Sequence, residues 1–275
     1  MSHLNKTKGI RDGESQRFAV FGGVYNNHQS LKATLDDARQ RRSDTIFCLG
    51  DLGGFGPHPD RVFPLLRDAP DVQVMQGNYD HSIGHRLEDC GCGYTDPRDN
   101  HFAQISYDYT LEHTSEVHQD WLRQLPTQFR FQWGTHRVLM AHGSPRRVNE
   151  FLWESTSSDA FLSYLLRSFE ADVLFVTHTG IPWKRRLSEG GMVVNVGAIG
   201  RPANDGRTCV QYAVVDIDKE RLEVEFVDVT YDHERLAEEM REEKLPEEFV
   251  ETILTGWWTT CLEILPAKER DKGRW

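Results

Sequence analysis

Five short apolar runs in this sequence are each followed at once by a side chain that carries an oxygen or an imidazole nitrogen. These side chains are Asp51, Asn78, His142, His178 and Asn195. Such runs predict buried strands, and the carboxyl ends of parallel strands meet at one edge of an α/β sheet. We therefore expect the five side chains to converge on one crevice. Asp, Asn and His together suit a divalent cation such as Mn, Fe or Zn.

Composition limits the class of protein. The chain has 275 residues and a net charge of −11, which is enough length for one substantial core. The acidic balance argues against a nucleic-acid partner, and no apolar run approaches the length of a membrane span. The five cysteines are scattered and odd in number, so we expect reduced thiols in a cytoplasmic protein without a membrane partner. An oligomer remains compatible with the sequence.

The sequence predicts three parts in the chain. We expect a polar N-terminal tail over residues 1–17, a main domain over residues 18–230 and a C-terminal helical appendage over residues 231–275. The spacing of apolar residues after His233 predicts two helices, the second of which begins at Pro246.

Some passages are predicted to lack regular structure. A long irregular stretch is expected after Asn78, and it contains the Cys90-Gly91-Cys92 sequence, which is expected to pack as a loop near the site. The basic run Lys184–Arg186 is expected to form a solvated turn. The neighbouring pair Trp257 and Trp258 is expected to dock the last helix.

Four motifs, in order along the chain, resemble those of the calcineurin-like metallophosphoesterases, and most closely those of the compact bacterial phosphodiesterase branch. The motifs are Gly50-Asp51-Leu52-Gly53-Gly54-Phe55-Gly56-Pro57, Gly77-Asn78-Tyr79-Asp80, His142-Gly143-Ser144-Pro145 and Asn195-Val196-Gly197-Ala198-Ile199-Gly200-Arg201-Pro202. The resemblance implies an α/β fold, a four-layer α/β/β/α sandwich of two mixed β-sheets flanked by helices. It also implies two metal ions that bind a phosphoryl group and activate water.

The sequence departs from the family pattern at three ligand positions. Gly23 and Tyr25 stand where the family has Asp and His, and Gly180 stands where it has the second His of its last motif. In the family, these three ligands belong to one metal position. The resemblance assigns the other position to four residues that this chain retains, namely Asp51, Asn78, His142 and His178. We therefore expect one divalent metal per chain, with the second position lost or supplied with new ligands by Tyr25, His28 or His81.

Three further residues are candidates for catalysis. Asp80 is expected to orient a metal-binding imidazole through a hydrogen bond. Tyr79 stands where the family often has a proton-donating His, although a phenol is a weak acid at neutral pH. Tyr25 is expected to act as a phenolate ligand or a hydrogen-bond donor, which would require a lowered pKa.

Polar residues beside the motifs are candidates for binding a small phosphorylated substrate. They are Asn27, Arg146, Arg147 and Arg201. Each arginine offers forked donors that match a phosphate, and the competing interpretation of each is a solvated ion pair.

Two functions are compatible with this pattern. The first is a metal-dependent phosphoesterase that hydrolyses a phosphodiester or phosphomonoester with one of the two family metals lost or differently bound. The alternative is a non-catalytic metal-binding or scaffold protein on the same fold, since a fold does not fix a function. Loss of ligands from one metal position, with the other intact, favours the hydrolase.

Overall fold

The computed structural model of the protein describes residues 16–271. Within this range two five-stranded β-sheets pack face to face and helices cover their outer surfaces. This arrangement confirms the predicted four-layer α/β/β/α sandwich.

The first sheet is mixed, and its strands follow the order β10-β9-β1-β2-β3. Its strands are β1 (Gln16–Phe21), β2 (Thr45–Cys48), β3 (Val72–Val74), β9 (Val210–Ile217) and β10 (Leu222–Val229). Strands β1, β2 and β3 are parallel, whereas β9 is antiparallel to both of its neighbours. The carboxyl ends of β1, β2 and β3 therefore lie at one edge.

The second sheet has the strand order β4-β5-β6-β8-β7. Its strands are β4 (Gln128–Trp133), β5 (His136–Ala141), β6 (Val173–Val176), β7 (Trp183–Arg186) and β8 (Met192–Asn195). Strands β5, β6 and β8 are parallel, with an antiparallel strand at each edge. Strands β4 and β5 form an antiparallel hairpin.

Helices connect and cover the sheets. They are α1 (His28–Gln40), α2 (Phe63–Arg67), α3 (Asn78–His85), α4 (Pro97–His113), α5 (Glu116–Leu122), α6 (Asp159–Ser168), α7 (His233–Glu242), α8 (Glu247–Thr255) and α9 (Ala267–Arg270), with a short 3₁₀ turn at Pro59–Arg61. No helix in the described part of the chain is long and apolar enough to cross a membrane.

The two-residue period of the strands divides the core. In β1, Phe18 and Val20 face the second sheet, whereas Ala19 and Phe21 face the helices. The layer between the sheets is rich in aromatic rings, and the ring centroids of Phe18 and Phe47 lie 5.7 Å apart. This packing fixes the two sheets relative to each other and brings the ends of their parallel strands together.

The apolar faces of helices α7 and α8 pack against Tyr25 and Phe55, which lie in the loops after β1 and β2. Phe249 of α8 packs edge to face on Phe55, with 5.3 Å between ring centroids, and Phe55 packs in turn on Tyr25. We propose that the boundary between the main domain and the C-terminal appendage lies at residues 230 and 231, between β10 and α7.

The structure corrects two of the predicted irregular passages. A helix, α3, begins directly at Asn78, because Asp80 at its third position accepts a hydrogen bond from the Gly77 N–H. Residues Lys184–Arg186 belong to the edge strand β7 rather than to a turn. Their charges are tolerated at an edge, where Lys184 and Arg186 donate to carbonyls of β10.

The predicted N-terminal tail lies almost entirely outside the described residues. The strand β1 begins at Gln16, before the predicted strand start at Phe18. Arg17, which the sequence assigned to the tail, pairs in this strand with Asp216 of β9.

Candidate metal centre

Four polar side chains lie just past the carboxyl ends of four parallel strands. Asp51 follows β2, Asn78 follows β3, His142 follows β5 and His178 follows β6. All four are nearly inaccessible to solvent, with exposed fractions between 1% and 7%. The site therefore lies at the seam where the two sheets bring their strand ends together.

Three of these side chains converge on one point. The Asp51 carboxylate oxygen Oδ2 lies 3.2 Å from His142 Nε2, and His142 Nε2 lies 3.2 Å from His178 Nδ1. The potential ligand atoms of the three residues all lie within 4.8 Å of one another. Two ligand atoms that each lie about 2.1 Å from an ion at a tetrahedral angle are about 3.4 Å apart, so the spacing suits a shared cation.

A backbone carbonyl orients the His142 ring. The Nδ1 atom lies 2.6 Å from the carbonyl oxygen of Leu49, which can only accept, so Nδ1 carries the hydrogen. In the neutral ring, Nε2 then presents its lone pair to Asp51 and His178. Metal-binding histidines are commonly held in this way through their other ring nitrogen.

Burial and neighbouring charges set the protonation states at the site. Burial and the adjacent His142 lower the pKa of His178 to about 3, so its ring is neutral near pH 7. Burial alone would raise the pKa of Asp51, but His142, His178 and the Tyr79 N–H together outweigh it and lower that pKa. Burial alone would lower the pKa of His142, but Asp51 raises it, so a metal ion would compete with a proton for this ring. An ionised carboxylate and neutral imidazoles are the forms that bind a metal.

The Asn78 side chain adds an unused acceptor. Its Nδ2 donates to the Cys90 carbonyl at 2.9 Å, whereas its buried Oδ1 has no hydrogen-bond partner. A buried acceptor without a donor is costly unless a cation or a water satisfies it. This orphaned oxygen and the converging lone pairs of Asp51, His142 and His178 fit a divalent metal.

Asp80 has a different role from the one predicted. Its two oxygens accept hydrogen bonds from the backbone N–H groups of Asp51, Leu52 and Gly77, at 2.7, 2.9 and 2.8 Å. The Leu49 carbonyl, and not Asp80, holds the imidazole. Asp80 thus fixes the turn that presents Asp51, whose φ of 55° is uncommon for a residue with a side chain.

Tyr79 does not present its hydroxyl to the site. The hydroxyl donates to Ser106 Oγ at 2.9 Å and lies 3.4 Å from the Ala103 carbonyl, both in α4. Burial raises the pKa of this phenol well above its usual value. The predicted proton-donor role therefore has no support in the geometry, and Tyr79 contributes its backbone N–H to Asp51 Oδ1 instead.

The space beside Gly23 is filled by protein. A Cβ atom on Gly23 would lie 2.7 Å from the Ala198 Cβ and 2.9 Å from Cζ of the Tyr25 ring. Burial raises the pKa of the Tyr25 phenol, and its role as a phenolate ligand stays a prediction.

The space beside Gly180 is filled in the same way. A Cβ atom on Gly180 would lie 2.9 Å from Cη2 of Trp258 and 3.6 Å from the Arg201 Nη2 atom. Side chains of Tyr25, Ala198 and Trp258 thus occupy the places toward which side chains at positions 23 and 180 would project, with Arg201 in van der Waals contact.

The residues predicted to bind substrate are placed very differently. Asn27 is fully buried, where its Oδ1 caps α1 by accepting from the Ser30 N–H and its Nδ2 donates to the Gly200 carbonyl. Arg146 pairs with Glu150 on the surface. Both are occupied by structural contacts, whereas the other two candidates, Arg147 and Arg201, form no ion pair with another residue of the 16–271 range.

Neither of the histidines suggested as replacement ligands joins the cluster. His28 lies 3.8 Å from Glu239 of α7. His81 packs against His85 on the outer face of α3. Asn195, the fifth strand-end residue, uses its side chain to bind the Thr177 carbonyl and the Gly197 N–H, which shapes the His178 turn.

A disulfide-closed loop borders the candidate site. Contrary to the expected thiols, the sulfurs of Cys90 and Cys92 form a disulfide. The Gly91 carbonyl between them accepts from the Asn149 side chain at 2.9 Å. The Cys90 carbonyl accepts from the Asn78 side chain, so this loop is joined directly to one of the candidate ligands.

Comparison with known proteins agrees with the architecture. The calcineurin-like phosphoesterase superfamily domain matches residues 17–220. The chain belongs to the calcineurin-like phosphoesterase superfamily. Three similar proteins each match more than four fifths of this chain.

An uncharacterized protein of Methanocaldococcus jannaschii is 27% identical over 254 residues, which cover 86% of this chain and 97% of the relative. The crystal structure of a metallophosphoesterase from Sphaerobacter thermophilus is 28% identical with a TM-score of 0.68, over 88% of this chain and 100% of the other. A hypothetical protein from Pyrococcus horikoshii shares the fold with a TM-score of 0.73 at 23% identity, over 88% and 99% of the two chains.

Sequence reasoning missed three contributors to the site of this calcineurin-like phosphoesterase. The Leu49 carbonyl leaves no side-chain signal. The Phe151 ring packs 4.3 Å from the His178 ring, and Trp258 reaches the site from the C-terminal segment. Only the paired tryptophans at positions 257 and 258 were visible in the sequence as an unusual feature.

Proposed function

We propose that this calcineurin-like phosphoesterase is a hydrolase of small phosphoesters that works with one divalent metal ion. Asp51, Asn78, His142 and His178 would hold the ion. The observation that carries the proposal is the convergence of Asp51, His142 and His178 within 4.8 Å, together with a buried Asn78 oxygen that has no hydrogen-bond partner.

When bound, the metal would polarise a phosphoryl oxygen and lower the pKa of a bound water. The chain's own contribution is to fix the ligands before the substrate arrives. Asp80 holds the Asp51 turn through three backbone N–H groups, and the Leu49 carbonyl fixes the His142 tautomer. Burial keeps the His178 ring neutral and excludes competing water.

The filled second position supports a count of one metal. Restoring ligands at Gly23 and Gly180 would require the Tyr25 and Trp258 rings to move, because a Cβ at either glycine approaches a ring atom to 2.9 Å. The burial of the four candidate ligands is the observation that favours the alternative, a non-catalytic metal-binding protein.

The test is hydrolysis of p-nitrophenyl phosphate and bis-p-nitrophenyl phosphate after reconstitution with Mn²⁺. We expect metal-dependent hydrolysis, and a loss of more than about 100-fold in Asp51→Asn and His142→Ala because each removes a ligand. His81→Ala is the matched control, since His81 lies on the same helix as Asn78 but points to His85.

Each outcome decides between the two functions. A metal-loaded protein that hydrolyses neither substrate favours the non-catalytic alternative. Full activity in both Asp51→Asn and His142→Ala would contradict the ligand assignment.

A further inference from the structure

Arg201 is a charged side chain buried among aromatic rings. Only 5% of its surface is exposed. The guanidinium carbon lies 3.5 Å from the Trp258 ring centroid, 4.9 Å from that of Phe55 and 5.6 Å from that of Tyr25. Stacking of this kind stabilises a guanidinium through its flat faces.

The stacked guanidinium has no anionic partner within residues 16–271. Its buried Nε has no hydrogen-bond acceptor, and no carboxylate pairs with the side chain. Buried charges in proteins are normally paired, because an isolated charge is costly to desolvate. The rings cover the faces of Arg201, so the N–H donors along its edge remain for an anion.

Arg201 lies beside Gly180, which is close in sequence to the candidate ligand His178. Its Nη2 lies 3.6 Å from the place where a Cβ on Gly180 would be, two residues from His178. Gly180 and Gly23 stand at positions where the family has ligands of a second metal, and the Tyr25 ring fills the space beside Gly23. A fixed positive charge therefore lies in van der Waals contact with the space beside Gly180, which follows the candidate ligand His178 by two residues.

We infer that Arg201 binds the phosphoryl group of the substrate and that the substrate is a phosphomonoester. This inference rests on the proposed function, because the metal held by Asp51 and the histidines would bind the same group. A guanidinium edge donates to two oxygens at once, and the metal takes a third. A monoester offers three terminal oxygens, whereas a diester offers two and must give up one contact.

The experiment measures the binding of methyl phosphate and dimethyl phosphate to the Mn²⁺-loaded protein by calorimetry. We expect methyl phosphate to bind more tightly. In Arg201→Met its affinity falls by about tenfold or more, as for the loss of a charged hydrogen-bond pair, and the preference over dimethyl phosphate shrinks. Metal content is measured on every sample and is expected to stay unchanged.

Arg98→Met is the matched control. Arg98 also stacks on an aromatic ring, 5.1 Å from Phe102, and donates to the Thr259 carbonyl in the C-terminal segment, but it is exposed. We expect this variant to bind methyl phosphate like the wild type. Equal loss in Arg98→Met and Arg201→Met would mean that the C-terminal packing matters and not the buried charge, which overturns the inference.

Arg201→Lys decides the matter if Arg201→Met fails to fold. Lysine keeps the charge but not the fork, so the preference for methyl phosphate should shrink in this variant as well. An unchanged preference would overturn the inference. Failure of this inference can be told apart from failure of the proposed function. If the wild type hydrolyses phosphoesters but Arg201→Met binds methyl phosphate with unchanged affinity, only the inference is refuted. If binding depends on Arg201 but no hydrolysis occurs, only the proposed function is refuted.

Discussion

Gly180→Ala tests whether protein atoms fill the second metal position. Gly180 has a φ of 75°, and its added Cβ would lie 2.9 and 3.1 Å from two Trp258 ring carbons. The left-handed backbone costs about 1–2 kcal/mol for a residue with a side chain. Overpacking against the fixed ring adds about 1–3 kcal/mol.

Gly190→Ala isolates the backbone part of this cost. Gly190 has a φ of 94°, and a Cβ there would meet nothing within 4 Å. The variant should therefore lose only about 1–2 kcal/mol of unfolding free energy. The difference between the two glycine variants is the contact with Trp258, which we expect to be about 1–3 kcal/mol.

The assay is urea unfolding of a double-mutant cycle with Trp258→Leu, which removes the contacting ring carbons. In this background the cost of Gly180→Ala should fall to that of Gly190→Ala, so the two substitutions are not additive. Additive effects of Gly180→Ala and Trp258→Leu would refute the packing of Trp258 into the space beside Gly180.

Three further predictions concern single side chains. Tyr79→Phe should lower stability by about 1 kcal/mol, since it loses the bond to Ser106, and leave hydrolysis unchanged; a large loss of rate would restore Tyr79 as the acid. Asn27→Ala should cost about 1–2 kcal/mol in urea unfolding through the lost cap of α1, with unchanged methyl phosphate affinity, whereas weaker binding would make Asn27 a substrate contact. Replacing both Cys90 and Cys92 with Ser should loosen the disulfide-closed loop and speed the removal of bound metal by a chelator, measured by stopped flow; an unchanged rate would mean that the loop does not control access.

The strand-end cluster of candidate ligands was predictable because its chemistry is local. A short apolar run followed by Asp51 or His142 indicates a strand that delivers a ligand, and parallel strands bring such ends together. Pairing of the two sheets could not be read from the runs alone. It depends on which faces carry the large rings, such as Phe18 and Phe47, and on long-range packing.

The sequence was least informative where one feature serves two purposes. Asp80 fits a catalytic motif, but its position also matches the third residue of a capping box, and the structure uses it there. The three basic residues of β7 suggested a turn, although an edge strand tolerates charge.

The arrangement around Arg201 depends on contacts that are remote in sequence. Trp258 lies far along the chain from Tyr25, and nothing local to either residue indicates that both pack on one guanidinium. The sequence marked Gly23, Tyr25 and Gly180 as departures from the family pattern. In the structure, Tyr25 fills the space beside Gly23 and Trp258 fills the space beside Gly180.

The metal content of protein purified without chelator tests the central claim most directly. Elemental analysis should give close to one divalent ion per chain, and anomalous scattering should place it among Asp51, Asn78, His142 and His178. Asp51→Asn should lose it. Two tightly bound ions per chain, or an ion elsewhere with these four side chains unoccupied, would contradict a single metal beside a position filled by protein.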